Sequence, residues 1–208
     1  MADLALYDFP RSSSSYRVRI ALALKGLRYE KRLVNFREDE QRSADFLARA
    51  PAGLVPALQT TEGQTLTQSV AIIQYLDSIA EPLLFPRANP LDQAQIWSMV
   101  LDIACDIHPL NNLRVLNYLQ GELAADVDAK ETWYRHWIAR GFEALECRVG
   151  KFGGKFCYGD NLTAVDVCLV PQMYNARRFN TDLGPFPKLV EYDHFLREHP
   201  AFVEAAPE

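Results

Sequence analysis

The chain has 208 residues, 49% of them apolar and 24% charged, with a formal net charge of −5. Those proportions are ordinary for a globular protein, and the length allows one large domain or two modest ones, each with a real core. Residues 1–85 carry 10 basic and 10 acidic side chains and residues 86–208 carry 12 and 17. The acidic excess therefore lies in the second part, and no region has the basic excess of a nucleic-acid binder.

The opening MADLALYDFPRS has neither a basic segment nor a long apolar one, so no secretory signal is expected. No run approaches the roughly 18 apolar residues of a membrane span. Cys105, Cys147, Cys157 and Cys168 have no metal-ligand spacing and no dense disulfide pattern. They are expected to be buried free thiols in a reducing cytoplasm.

In chain order, residues 4–7 form a short apolar strand candidate. Val18, Ala21 and Leu22, with Ile20, Ala23, Leu24 and Leu27, predict a helix apolar nearly all round and ended by Gly26. Residues 29–34 read as a second strand with Tyr29, Lys31 and Leu33 on one face. A polar segment at 38–50 suggests a second helix. Val55-Pro56-Ala57-Leu58, the turn Glu62-Gly63 and Thr65-Leu66 predict a hairpin. Ser69 is expected to cap a helix whose Ile72, Tyr75, Leu76 and Ile79 recur at helical spacing. That order, β-α-β-α-β-β-α, predicts an α/β layer with a small sheet over residues 1–81.

Prolines at 82, 86 and 90 make residues 82–90 an extended linker. Residues 91–208 carry only helical signals, predicting an all-α second domain. One long helix is expected over 91–118, kinked at Pro109. Another is expected over 130–149, with Trp133, Trp137, Phe142 and Leu145. Thr163-Ala-Val-Asp166 reads as a capping box serving folding alone, heading a buried helix with Val167, Leu169 and Val170. A last helix at 187–198 places Leu189, Tyr192 and Leu196 on one face.

The stretch PRSSSSYRVRIAL sets four serines before the first helix, flanked by Arg11, Arg17 and Arg19. One hydroxyl is enough to cap a helix, and the rest would then be a short turn. Alternatively, backbone N–H groups, hydroxyls and the positive helix end converge on an anion. Phosphate suits this less well, because the stretch has no glycines and no P-loop pattern. A thiolate suits it better, and since no cysteine lies in the stretch, that sulfur would come from a ligand.

RSSSSYRVRIALALKG resembles the SSC-x-[WH]-RVRIAL stretch of zeta-class glutathione transferases, the family of maleylacetoacetate isomerase. The likeness continues through PAGLVPAL, QSVAIIQYL, DIHPLNNLRVLNYL, YGDNLTAVDVCLVPQ and NARRFNTDLGPFP, in order, over nearly the whole chain. It implies the glutathione transferase fold: a thioredoxin-like glutathione-binding domain with a mixed four-stranded sheet at 1–81, and an all-helical, substrate-binding bundle at 91–208. It also implies a homodimer, glutathione as cofactor and a dicarboxylate substrate.

By that resemblance Ser12 activates the glutathione sulfur, with Ser13 and Ser14 as helpers and Ser15 in the same serine-rich turn. Position 14 holds Ser where the family commonly has Cys, and Tyr16 replaces the usual Trp or His. Val55-Pro56 resembles a Val-cis-Pro whose valine backbone pairs with the cysteinyl part of glutathione. Gln68-Ser69 matches the pair that holds the γ-glutamyl group, and Gln41 matches another glutathione contact. His108 and Asn112 match further contacts. Read alone, His108 is more often a structural histidine; within DIHP it is similar to maleylpyruvate isomerases. Arg114 would add charge on the same helix face.

Arg11 and Arg178 match the family's substrate arginines, and a guanidinium fork suits carboxylates. Read alone, Arg177-Arg178 simply complements a helix end. The implied reaction is thiolate addition to a cis double bond, rotation and elimination. Maleylpyruvate isomerisation, transfer or dehalogenation on small α-halo acids, and an inactive interaction module of the same fold are the alternatives. No metal site and no nucleic-acid or membrane partner is expected.

Overall fold

The computed structural model describes residues 4–207. Its contacts divide the chain into two compact units, one running to Leu84 and resuming at His199, the other Phe85–Glu198. The helical domain expected over 91–208 is shorter at its end, because the tail from His199 packs with the first unit.

In the first unit, β1 (Leu4–Asp8) leads to α1 (Ser13–Leu24), β2 (Tyr29–Leu33), α2 (Ala44–Arg49), β3 (Ala57–Gln59), β4 (Thr65–Thr67) and α3 (Ser69–Ile79). The sheet order is β2-β1-β3-β4. β1 pairs parallel with β2, Tyr7 opposite Arg32, and antiparallel with β3, Leu6 opposite Leu58; β3 and β4 form the expected hairpin. Leu6, Leu58, Val18, Ile20, Leu22, Ile72, Ile73 and Leu76 are fully buried where α1 and α3 cover the sheet. Gly26 ends α1 at φ +61°, a conformation that glycine adopts without a Cβ penalty.

α1 is not apolar all round, because it also buries Arg17 and Arg19. A buried cation must be paired and hydrogen-bonded. Arg19 meets this with Asp8 Oδ1 at 2.7 Å, Pro10 O at 3.1 Å and Ala205 O at 2.9 Å. Just past α1, Lys25 does the same with Asp77 at 2.7 Å and the carbonyls of Ala80 and Pro82. The tail helix α9 (Pro200–Glu204) thus closes on α1, where Tyr16 Oη also donates to Phe202 O at 3.2 Å.

β2 departs from its expected faces: Leu33 is 59% exposed and Lys31 is exposed, while Arg32 is half-buried. β2 is an edge strand, and Arg32 lies along the sheet face, donating to Glu30 Oε2 at 2.7 Å, Tyr7 Oη at 2.8 Å and Gln59 Oε1 at 3.2 Å. The helix expected over 38–50 is a 3₁₀ turn, Glu40–Arg42, followed by α2, since Ser43 caps a fresh start by accepting from Phe46 N.

The second unit holds α4 (Pro90–Leu101), α5 (Leu113–Gly121), α6 (Val127–Phe152), α7 (Ala164–Arg178) and α8 (Pro187–Arg197). The single kinked helix expected over 91–118 is broken into pieces. After α4 come a π-helical turn, Asp102–Ile107, and a 3₁₀ turn, His108–Asn111; Asn112 then goes extended (φ −67°, ψ 144°) and caps α5. α7 runs through the middle of this unit, with every residue from Thr163 to Met173 buried. Its capping box is present as expected. Of the four thiols, Cys157 and Cys168 are buried, but Cys105 and Cys147 are exposed, against expectation. Among the described residues no helix is long and apolar enough to cross a membrane.

Candidate active site

The chain leaves β1 through Phe9-Pro10 and turns into α1 at Ser12, whose N–H donates to Phe9 O at 2.8 Å. Ser12 is the helix cap: its Oγ accepts from Ser15 N at 3.2 Å. Ser14 Oγ donates to Val55 O at 3.1 Å and lies 3.0 Å from Ser12 Oγ. A hydroxyl has one proton. With Ser14's proton committed to Val55, Ser12 is the donor to Ser14, and a directed relay runs Ser12 to Ser14 to the Val55 carbonyl. Ser13 and Ser15 face inward, 3% and 0% exposed, and Arg11 is exposed.

Val55-Pro56 is a cis peptide bond. Gln68 is exposed and held at φ +69°, ψ 111°, a left-handed backbone costing about 1–3 kcal/mol for a residue other than glycine. Gln68, not Ser69, occupies the cap position of α3, and it makes no side-chain cap bond. Ser69 is the first helical residue, nearly buried, and its Oγ accepts from Arg17 Nη1 at 3.3 Å. Gln41 is 9% exposed; its Nε2 donates to Asp39 Oδ1 at 3.0 Å, and its buried Oε1 has no partner.

In the second unit His108 is half-buried at the start of the 3₁₀ turn, and Asn112 Oδ1 accepts from Arg114 N at 3.1 Å. The common helix face expected for His108, Asn112 and Arg114 is lost, because Asn112 is not helical. Arg178 is exposed at the end of α7, its guanidinium 5.7 Å from the Tyr174 ring centre and 5.4 Å from that of Phe179. Phe179 stacks on Tyr134 at 3.6 Å, and burial pushes the Tyr134 hydroxyl well above its usual value. Arg177 is spoken for, donating to both oxygens of Asp193 at 2.6 and 3.2 Å.

The model for the glutathione S-transferase N-terminal domain matches residues 2–78. The probable maleylacetoacetate isomerase of Vibrio cholerae is 46% identical, covering 100% of this chain and 97% of its own length. A holo structure of maleylpyruvate isomerase, a bacterial zeta-class enzyme, superposes with a TM-score of 0.93 at 40% identity, over 98% of this chain and 96% of that one. The chain belongs to the zeta-class glutathione transferases, the family of maleylacetoacetate isomerase. The maleylacetoacetate isomerase of Methylobacterium extorquens AM1, with malonate and glutathione bound, gives a TM-score of 0.94 at 32% identity, covering 98% of this chain and 96% of that one.

Within this zeta-class fold, the structure joins Ser12, Ser14 and Val55 in one hydrogen-bonded run and ties Ser69 to it through α1. Two residues escaped the sequence reading. Arg17 reads in the sequence only as a flanking charge, although an arginine inside an apolar helix is itself a signal of a buried partner. Asn111 is 7% exposed with neither amide atom partnered, and nothing in its sequence surroundings separates it from Asn112.

Proposed function

We propose that this zeta-class protein is a glutathione-dependent cis-trans isomerase of a maleyl diacid, converting maleylacetoacetate to fumarylacetoacetate. The observation that carries the reading is the hydroxyl relay at the head of α1, Ser12 to Ser14 to Val55 O. The donor set of the first unit fits glutathione. Ser12 offers a proton that needs only an O–H rotation to reach a sulfur. Val55 keeps a second carbonyl lone pair for an amide N–H, and Gln41 has a buried Oε1 without a partner. Gln68 and Ser69 stand at a helix N-terminus, where a carboxylate is favoured.

Bound glutathione supplies a thiolate that adds to the cis double bond and leaves after the bond has turned, so it is not consumed. Ser12 keeps that sulfur ionised by donating to it, its proton turning away from Ser14, whose own proton stays on Val55 O. Gln68 and Ser69 receive the γ-glutamyl carboxylate; Gln41, His108, Asn112 and Arg114 are proposed as further glutathione contacts. Arg11 and Arg178 take the substrate carboxylates. Support for Arg178 is that its guanidinium rests against Tyr174 and Phe179 while its neighbour Arg177 is held by Asp193.

Maleylpyruvate is the second reading, favoured by His108. The doubled arginine adds less to it, because Arg177 is held by Asp193, a carboxylate it shares with Arg197. Kinetics on maleylacetoacetate and maleylpyruvate, each with and without glutathione, test both. A protein that neither binds glutathione nor isomerises either acid would be an interaction module of this fold. Arg178→Ala should raise KM for a maleyl diacid by about tenfold or more, the scale of a lost charge-assisted hydrogen bond. KM for an uncharged electrophile should barely change, and equal effects on both would make Arg178 structural. A homodimer in the cytoplasm completes the proposal; exposed free thiols at Cys105 and Cys147 suit a reducing compartment, and sedimentation tests the dimer.

A further inference from the structure

We propose that Arg17 is a positioning residue for the glutathione γ-glutamyl carboxylate, acting through Ser69. The inference rests on the reading above, in which Gln68 and Ser69 receive that carboxylate. Arg17 lies on α1 and is 1% exposed, so it reaches no ligand itself. Its Nη1 donates to Ser69 Oγ at 3.3 Å, from the buried side of the first residue of α3.

The direction of that bond matters. A guanidinium has five N–H donors and no acceptor, whereas a hydroxyl has one proton and two lone pairs. Arg17 therefore fills a lone pair of Ser69 and cannot take its proton. Among the described residues that proton has no acceptor, since the bond from Arg17 is the only one Ser69 Oγ makes. The buried arginine thus holds the hydroxyl as a donor aimed away from the core, at the helix N-terminus where an anion is favoured. The cation also polarises the O–H, which strengthens its bond to a carboxylate in a low-dielectric setting. A lysine is shorter and a point charge, so it does not reproduce the fork. Positive φ at Gln68 fixes where α3 begins and hence where Ser69 sits.

A merely structural arginine would tie α1 to α3 and weaken every ligand alike, which separates the two roles. Calorimetric titration with glutathione and with its decarboxylated analogue, 4-aminobutyryl-cysteinyl-glycine, reads the carboxylate contact without turnover. The wild-type protein should prefer glutathione by about tenfold to a hundredfold, the range of one charge-assisted hydrogen bond. Ser69→Ala should remove most of that preference, and so should Arg17→Gln, with affinity for the analogue unchanged. Arg17→Lys is the milder companion should the glutamine variant not fold. It should cut the preference severalfold in the Ser69 protein and have no further effect in the Ser69→Ala background.

Loss of affinity for both peptides in parallel, or an equal effect of Arg17→Lys in both backgrounds, overturns the proposal for Arg17. A wild-type protein that binds both peptides equally overturns instead the placement of the carboxylate at Ser69. A preference lost in Ser69→Ala but intact in the Arg17 variants leaves that placement standing and removes Arg17 from it.

Discussion

Ser12→Ala should lower turnover by about a hundredfold and move the ionisation of bound glutathione back toward that of a free thiol, near about 8.5. Holding a thiol two units lower takes about 2.7 kcal/mol. A helix N-terminus contributes about 0.3–1 kcal/mol, and a charge-assisted hydrogen bond roughly 1.5–3 kcal/mol. The hydroxyl is therefore the larger contribution, and the end of α1 alone falls short. The relay sharpens the expectation: with Ser14 already donating to Val55 O, Ser12 is the member of the chain whose proton can turn toward sulfur. The same variant should also lose about 0.5–2 kcal/mol of stability, because Ser12 caps α1 and its removal orphans Ser15 N–H. Ser12→Thr keeps both roles and serves as the control. The measurement is thiolate absorbance of the complex against pH. An unchanged titration in Ser12→Ala would take Ser12 out of the chemistry.

Ser12 also marks how far the residues spoke for themselves. The order of strands and helices in the first unit, the hairpin and the Thr163–Asp166 box followed from local signals: period-two and helical spacing, turn residues, a side-chain cap. Features that depend on a distant partner did not follow. Arg17 and Arg19 sit within an apolar helix because Ser69, Asp8 and the tail carbonyl of Ala205 answer them, and none of these is a neighbour in sequence. Arg32 is held across the sheet face by Tyr7 and Gln59, and Leu33, on the opposite face of this edge strand, stays exposed. The break at 102–112 hides behind unbroken helical spacing, and only Pro109 and Asn112 hint at it. At the site, residue types were legible and proton directions were not. Four serines in a row look alike until Val55 and the helix core divide them into two that line the relay and two that are buried.

Asp166→Asn should lower stability by about 2–4 kcal/mol, the scale of an orphaned buried donor with a mismatched group beside it. Asp166 is fully buried; Oδ1 accepts from Cys157 N at 2.9 Å, while Oδ2 accepts from Thr163 N at 2.8 Å and lies 3.1 Å from Thr163 Oγ1. An asparagine offers one oxygen to two backbone donors on opposite sides. Whichever way it turns, its NH₂ faces an N–H, and α7 loses either its cap or its tie to the preceding loop. Against a total of about 5–15 kcal/mol, the variant should still fold when cold but unfold at a clearly lower urea concentration. The gap should also depend on pH. Burial raises the Asp166 carboxyl above its usual value, and the N–H bonds from Cys157 and Thr163 only partly oppose this. Between the unfolded and the raised folded value the folded state therefore holds a proton that the unfolded state has released, so this group's contribution is greatest below the unfolded value and is lost as pH rises through the folded one. Asparagine cannot titrate. The difference in urea midpoint between wild type and Asp166→Asn should therefore widen as pH falls from neutrality into the carboxylate range. A difference that narrows on acidification would mean that the hydrogen bonds, and not burial, set the charge of this residue.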